Sequence, residues 1–180
     1  MKFNFYALRA IYLHEMDRFR RTLLQSLLSP VLSTSLYFIV FGSVIGDYVE
    51  SIDGLSYGSY IVPGLLMLTL LTQSISNTSF GIFFPKFNGT IYEILAAPIS
   101  TTEIVIAYVG AGATKTLLVA AVIFFTSLFF AEVNVKFPLL MVFLLILVAF
   151  TFALFGFLIG LLSKNFEQMS IIPTIVITPM

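Results

Sequence analysis

Apolar residues fall into four long blocks, at residues 22–45, 60–84, 103–130 and 138–162, separated by short polar segments. A membrane-spanning helix needs about 20 mostly apolar residues, so each block predicts one span. A fifth apolar block opens at residue 171, and the chain supplies only 171–180 of it. At about 1.5 Å per residue that stretch reaches about 15 Å, roughly half of a hydrocarbon core about 30 Å thick. The chain is therefore expected to be the N-terminal fragment of a longer protein. The fold class predicted is all-α, a polytopic transmembrane helix bundle.

Ahead of the first block the spacing changes. Phe5, Leu8, Tyr12, Met16 and Phe19 recur at intervals of three and four, while Arg9, Asp17, Arg20 and Arg21 project elsewhere. This predicts an amphipathic helix in the membrane interface, with its basic residues near anionic headgroups. An irregular tail is the alternative. The chain thus divides into an interfacial helix at 1–21 and a transmembrane domain at 22–180.

The segment between the second and third blocks is the most informative. Asn88-Gly89 marks a turn. Thr90 followed by Glu93 fits a capping box, and Ser100 followed by Glu103 fits a second one that opens the third span. Pro98 stops whatever helix begins at Thr90, because the residue before proline avoids the helical region. A helix of about two turns, at 90–97, is predicted to stand between two spans and to display Ile91, Ile94 and Leu95. Burying each such side chain against a partner is worth roughly 1.5–3 kcal/mol. That favours docking in a groove of another protein over resting on the bilayer or on the spans.

Charge sets the orientation. Lys2, Arg9, Arg18, Arg20 and Arg21 precede the first span, whereas Asp47, Glu50 and Asp53 dominate the loop that follows it. Lys86 and Lys164 lie on the N-terminal side of the membrane and Lys136 on the other. The excess of Lys and Arg puts the N-terminus in the cytoplasm. Over the whole chain, 59% of residues are hydrophobic, 10% are charged and the formal net charge is zero. About 25% charged is usual for soluble domains, so this composition excludes a soluble enzyme, a disordered chain and a basic nucleic-acid binder.

Few polar groups lie within the blocks. Lys115 is the one ionisable residue well inside a span; it either snorkels to the headgroups or serves transport. Gln73 and Asn77 share a helix face in a polar run at 72–79. Their amides must face another helix or a watered cavity, as interhelical contacts or as the lining of a substrate path. Small residues recur at spacing four (Ser29 and Ser33, Gly42 and Gly46, Gly156 and Gly160), with a smooth patch at Gly110-Ala111-Gly112-Ala113. Such residues let helix backbones approach closely.

Catalytic groups are missing. There is no Cys and no Gly-x-x-x-x-Gly-Lys-Ser/Thr phosphate loop. The single imidazole, His14, has no metal-binding company. Carboxylate pairs within the spans, which a proton-coupled carrier would need, are absent too. The chain reads as a non-enzyme, and any transport would draw its energy from another polypeptide. A secondary transporter or channel subunit, and a non-transporting membrane scaffold, remain as alternatives.

Several segments together resemble the ABC-2 type permeases, the membrane subunits of bacterial ATP-driven exporters. They are the basic N-terminus, Leu36-Tyr-Phe-Ile-Val-Phe-Gly-Ser-Val-Ile-Gly46, Tyr60-Ile-Val-Pro-Gly-Leu-Leu-Met67, Thr90-Ile-Tyr-Glu-Ile-Leu-Ala-Ala-Pro-Ile-Ser100, the small-residue start of the third span and Ser170-Ile-Ile-Pro-Thr-Ile-Val-Ile-Thr-Pro179. The resemblance implies six spans across the bacterial cytoplasmic membrane in the full-length protein, four of them complete here and a fifth partial, with both termini on the cytoplasmic side. It implies a second permease copy, most simply a homodimer, and two copies of a separate ATP-binding subunit that carry ATP and Mg, with no cofactor on this chain. Residues 91–97 look like the coupling helix that enters a groove on the ATPase. Thr90, Ile91, Tyr92, Glu93, Ile94, Leu95 and Pro98 would form that contact. The cargo implied is a drug, a lipid or a polysaccharide.

Overall fold

The computed structural model describes residues 3–45, 56–131, 133 and 135–177. The acidic loop with Asp47, Glu50 and Asp53, together with Gly46, Glu132 and residues 178–180, lies outside the described residues. Regular structure among the described residues is entirely helical. The helices are α1 (Phe5–Arg21), α2 (Leu23–Tyr37), α3 (Tyr57–Asn88), α4 (Ile91–Ala96), α5 (Thr101–Ser127), α6 (Pro138–Leu162) and α7 (Phe166–Ile177). A π-helical stretch, Phe38–Ile45, continues α2. Four of the described helices are long and apolar enough to cross a membrane, and they match the four apolar blocks.

Helices α3, α5 and α6 pack on one another, α1 and α2 lie against α5, and α7 rests on α3 and α6. Small residues set the α3–α6 approach. On α6, Ala149, Ala153, Gly156 and Gly160 are buried at intervals of four, three and four. A Cβ at Gly156 would stand 2.5 Å from the Ile75 carbonyl oxygen, and one at Gly160 would stand 2.5 Å from that of Ser79. Between α3 and α5 the same device recurs, since a Cβ at Gly112 would collide with the Thr78 hydroxyl. Lipid tails are as apolar as leucine, so close backbone packing and hydrogen bonds replace hydrophobic burial as the force between these helices. Ser74 Oγ accordingly donates to the Ala149 carbonyl at 2.6 Å. The rest of α6 turns large side chains outward, among them Leu139, Phe143, Leu147, Phe150 and Leu158.

Several boundaries differ from the sequence expectation: α3 begins at Tyr57 rather than at residue 60, α5 runs Thr101–Ser127 rather than 103–130, and two further differences bear on the packing. The second span does not end at residue 84 but stays helical through Pro85 to Asn88. Gly89, at φ +81°, closes it, because the left-handed conformation costs glycine nothing. At 32 residues, α3 is about 48 Å long and overshoots the hydrocarbon core. Lys86 in its last turn donates to the carbonyls of Leu161 (2.6 Å) and Ser163 (2.8 Å), fastening α3 to the C-terminal end of α6. The fifth apolar element starts earlier than residue 171, at Phe166, whose ring meets Phe83 and Phe87 edge-on at 4.9 Å.

Candidate functional site

The short helix between α3 and α5 forms as predicted, by a different local mechanism. Thr90 does not cap it. Its backbone is already helical (φ −65°, ψ −13°) and makes no side-chain cap; its hydroxyl instead donates to the Pro85 carbonyl at 3.4 Å. The second capping box is present in full. Ser100 Oγ accepts from the Glu103 N–H, and the Glu103 carboxylate accepts from the Ser100 N–H at 2.7 Å. Glu103 also accepts from the backbone N–H of Asn4, so one buried carboxylate joins the start of α5 to the start of α1.

The apolar side chains of α4 divide between two jobs. Ile91 and Ile94 are half-buried and pack against the main core, so they are not available for display. Tyr92 (74% exposed) and Leu95 (58% exposed) point away, with Glu93 and Pro98 also exposed. An intramolecular anchor on one face leaves a short outward ridge of Tyr92, Glu93 and Leu95 on the other.

Helix α1 runs beside α5 in the same direction. Asn4 meets Glu103, Tyr12 donates to Thr114 Oγ1 at 3.1 Å, Glu15 meets Lys115, and Phe19 packs with Val119 and Ile123. The apolar stripe predicted to face the interface is turned largely onto protein. Phe19 is buried, Leu8, Tyr12 and Met16 are half-buried, and Phe5 alone of the set is exposed. Arg9, Arg20 and Arg21 lie on the exposed side.

At the centre of this contact is Glu15, a residue the apolar periodicity passed over. It is 2% exposed. Its Oε2 takes Lys115 Nζ at 2.7 Å and Arg18 at 2.8 Å, while Oε1 is buried without a partner among the described residues. Room for the carboxylate comes from Gly81 on α3, where an added Cβ would lie 3.4 Å from Glu15 Oε2. Lys115 therefore does not snorkel: its side chain is 4% exposed and its ammonium is held by an acid from another helix. The signal in the sequence was Lys115 itself, since a lone charge within a span requires a counter-ion.

Gln73 and Asn77 do not share one path. Asn77 Nδ2 donates to Thr116 Oγ1 at 3.4 Å and lines a crevice of about 270 Å³ together with Lys115 and Arg18. Gln73 lines a separate crevice of about 180 Å³ against Ser29, Ser33 and Tyr37 of α2. The geometry is that of a multi-pass bundle with a fastened peripheral helix, a protruding knob and polar crevices on its flank.

Comparison with known proteins places this geometry. The profile of the family described as ABC-2 type transporter matches residues 6–180. The chain belongs to the ABC-2 type transporter family. It is similar to the inner membrane transport permease YadH of Escherichia coli strain K12, with 38% identity over 174 residues, 97% of this chain and 68% of YadH. It is also similar to nodulation protein J of Rhizobium leguminosarum bv. viciae, at 24% identity over 165 residues, covering 89% of this chain and 62% of that protein. No solved structure matches. This ABC-2 permease is a multi-pass inner-membrane transport subunit, and the family match takes up residues 6–180. Membership implies an ATP-binding partner, and membrane subunits of this family typically bind no cofactor themselves.

Proposed function

We propose that this permease is the cargo-moving half of an ATP-driven exporter and that α4 is the part its ATPase grips. The observation that carries the reading is the division of α4: Ile91 and Ile94 are anchored in the permease core, and Tyr92 and Leu95 are turned outward. A ridge rigidly seated on the bundle transmits a push from a nucleotide-driven subunit to α3 and α5, the helices on either side of it. The spans then rearrange between inward- and outward-facing packings. Two ATP-binding subunits, carrying ATP and Mg, and a second permease copy complete the assembly. The cargo falls in the drug, lipid or polysaccharide class.

The decisive experiment is co-purification of the full-length permease with its ATPase. Leu95→Asp places a charge on the ridge and leaves the anchoring isoleucines alone. It is expected to abolish co-elution and ATPase stimulation while membrane insertion is retained; unchanged co-elution would refute the docking role. Orientation has its own check. A periplasm-active reporter fused after Asp53 should be active and one fused after Gly89 silent, because the basic residues cluster on the α4 side. The reverse pattern would put α4 out of reach of any cytoplasmic ATPase.

A further inference from the structure

The ion cluster at Glu15 carries two cations against one carboxylate, Lys115 buried and Arg18 one-third exposed. Arg18 and Lys115 both hold Glu15 Oε2, so one positive charge is left over. Charge without a counter-ion inside a membrane bundle is costly. The crevice of about 270 Å³ opens directly onto these two cations, and no acidic side chain among the described residues lines it. Donors are left to serve a ligand: a guanidinium has five N–H groups and an ammonium three, and only one bond from each goes to Glu15. Ser76 and Asn77 add polar groups on the α3 wall. Beside them Phe80 and Phe84, each 47% exposed, form an apolar strip leading outward. Drug-sized ligands occupy about 300–1,000 Å³, so this space suits a headgroup better than a whole molecule.

We propose that the crevice between α1, α2, α3 and α5 is a phosphate-binding site: Arg18 and Lys115 hold a phosphate oxyanion, and the Phe80–Phe84 strip takes an acyl chain attached to it. The site lies apart from α4 and does not depend on ATPase docking. A membrane lipid or a soluble phosphate compound could each present the oxyanion. The apolar strip is the feature by which the two sources can be told apart.

The test is native mass spectrometry of the full-length permease in neutral detergent, titrated with phosphatidic acid, with diacylglycerol of the same chains, and with inorganic phosphate. Phosphatidic acid is expected to bind at least tenfold more tightly than diacylglycerol. Ser76→Leu plugs the crevice from α3 without touching the ion cluster, and Ser26→Leu plugs it from α2. Each should erase that preference, and the second variant stands in where the first does not fold. Displacement of phosphatidic acid by millimolar inorganic phosphate would uphold oxyanion recognition with a soluble source; failure to displace it would uphold it with a lipid source. Equal binding of phosphatidic acid and diacylglycerol, or an intact preference in both folded plugged variants, would overturn the proposal.

Discussion

Glu15→Gln is expected to destabilise the permease more than any other single change in its polar network. It leaves Lys115, with a side chain only 4% exposed, and Arg18 as two neighbouring cations with no anion between them. Breaking a buried pair by removing one partner costs about 3–5 kcal/mol, and the repulsion between the two cations puts this variant at the upper end. Lys115→Met should cost less, nearer to about 3 kcal/mol, because Arg18 still holds the carboxylate at 2.8 Å. The double variant Glu15→Leu with Lys115→Met should recover most of the loss. A buried ion pair replaced by apolar side chains of similar volume is often neutral or stabilising, and Arg18, one-third exposed, can then turn toward headgroups. Thermal unfolding in detergent of Glu15→Leu, Lys115→Met and the double variant, each against the parent, forms a double-mutant cycle. Additive losses would show that Glu15 and Lys115 do not interact.

That pair also marks where sequence reasoning reached its limit. The span at 138–162 coincides with α6, and the Ser100–Glu103 capping box is present bond for bond, because both depend on residues near one another in the chain. The small residues at Gly156 and Gly160 were readable for the same reason. Glu15 was not, since its partner lies 100 positions away and the periodicity of α1 counts apolar residues only. The space that admits its carboxylate comes from Gly81, on a third helix. Lys115 announced that a counter-ion existed without naming it. The division of α4 was hidden likewise: Ile91, Ile94 and Leu95 are equally apolar, and only the position of the core tells anchors from ridge. The overshoot of α3 was not legible in hydropathy alone. The apolar block stops at residue 84, yet the helix passes through Pro85 and ends where Gly89 supplies a positive φ.

Gly156→Leu and Gly160→Leu should each force α3 and α6 apart. At Gly156 a Cβ would meet Ile75 backbone atoms at 2.5–3.0 Å; at Gly160 it would meet Ser79 O at 2.5 Å and Ser79 Cα at 2.9 Å. These are main-chain atoms of a helix and cannot rotate away as a side chain could. Overpacking a filled interior typically costs about 1–3 kcal/mol, and a leucine against backbone should exceed that range. Separation of the helices would also break the Ser74–Ala149 hydrogen bond at 2.6 Å, leaving a hydroxyl unpaired in an apolar setting. Gly64→Ala is the control. Nothing lies within 4 Å of its added Cβ, and alanine in a helix interior gains up to about 1 kcal/mol over glycine. Because residues 1–180 contain no cysteine, a disulfide between Ser74→Cys and Ala149→Cys within this segment reports the α3–α6 distance without background from its other residues. Efficient crosslinking is expected in the parent and in Gly64→Ala, and little or none with leucine at 156 or 160. Undiminished crosslinking with leucine at both positions would mean that these helices are not held by the approach of Gly156 and Gly160 to the α3 backbone.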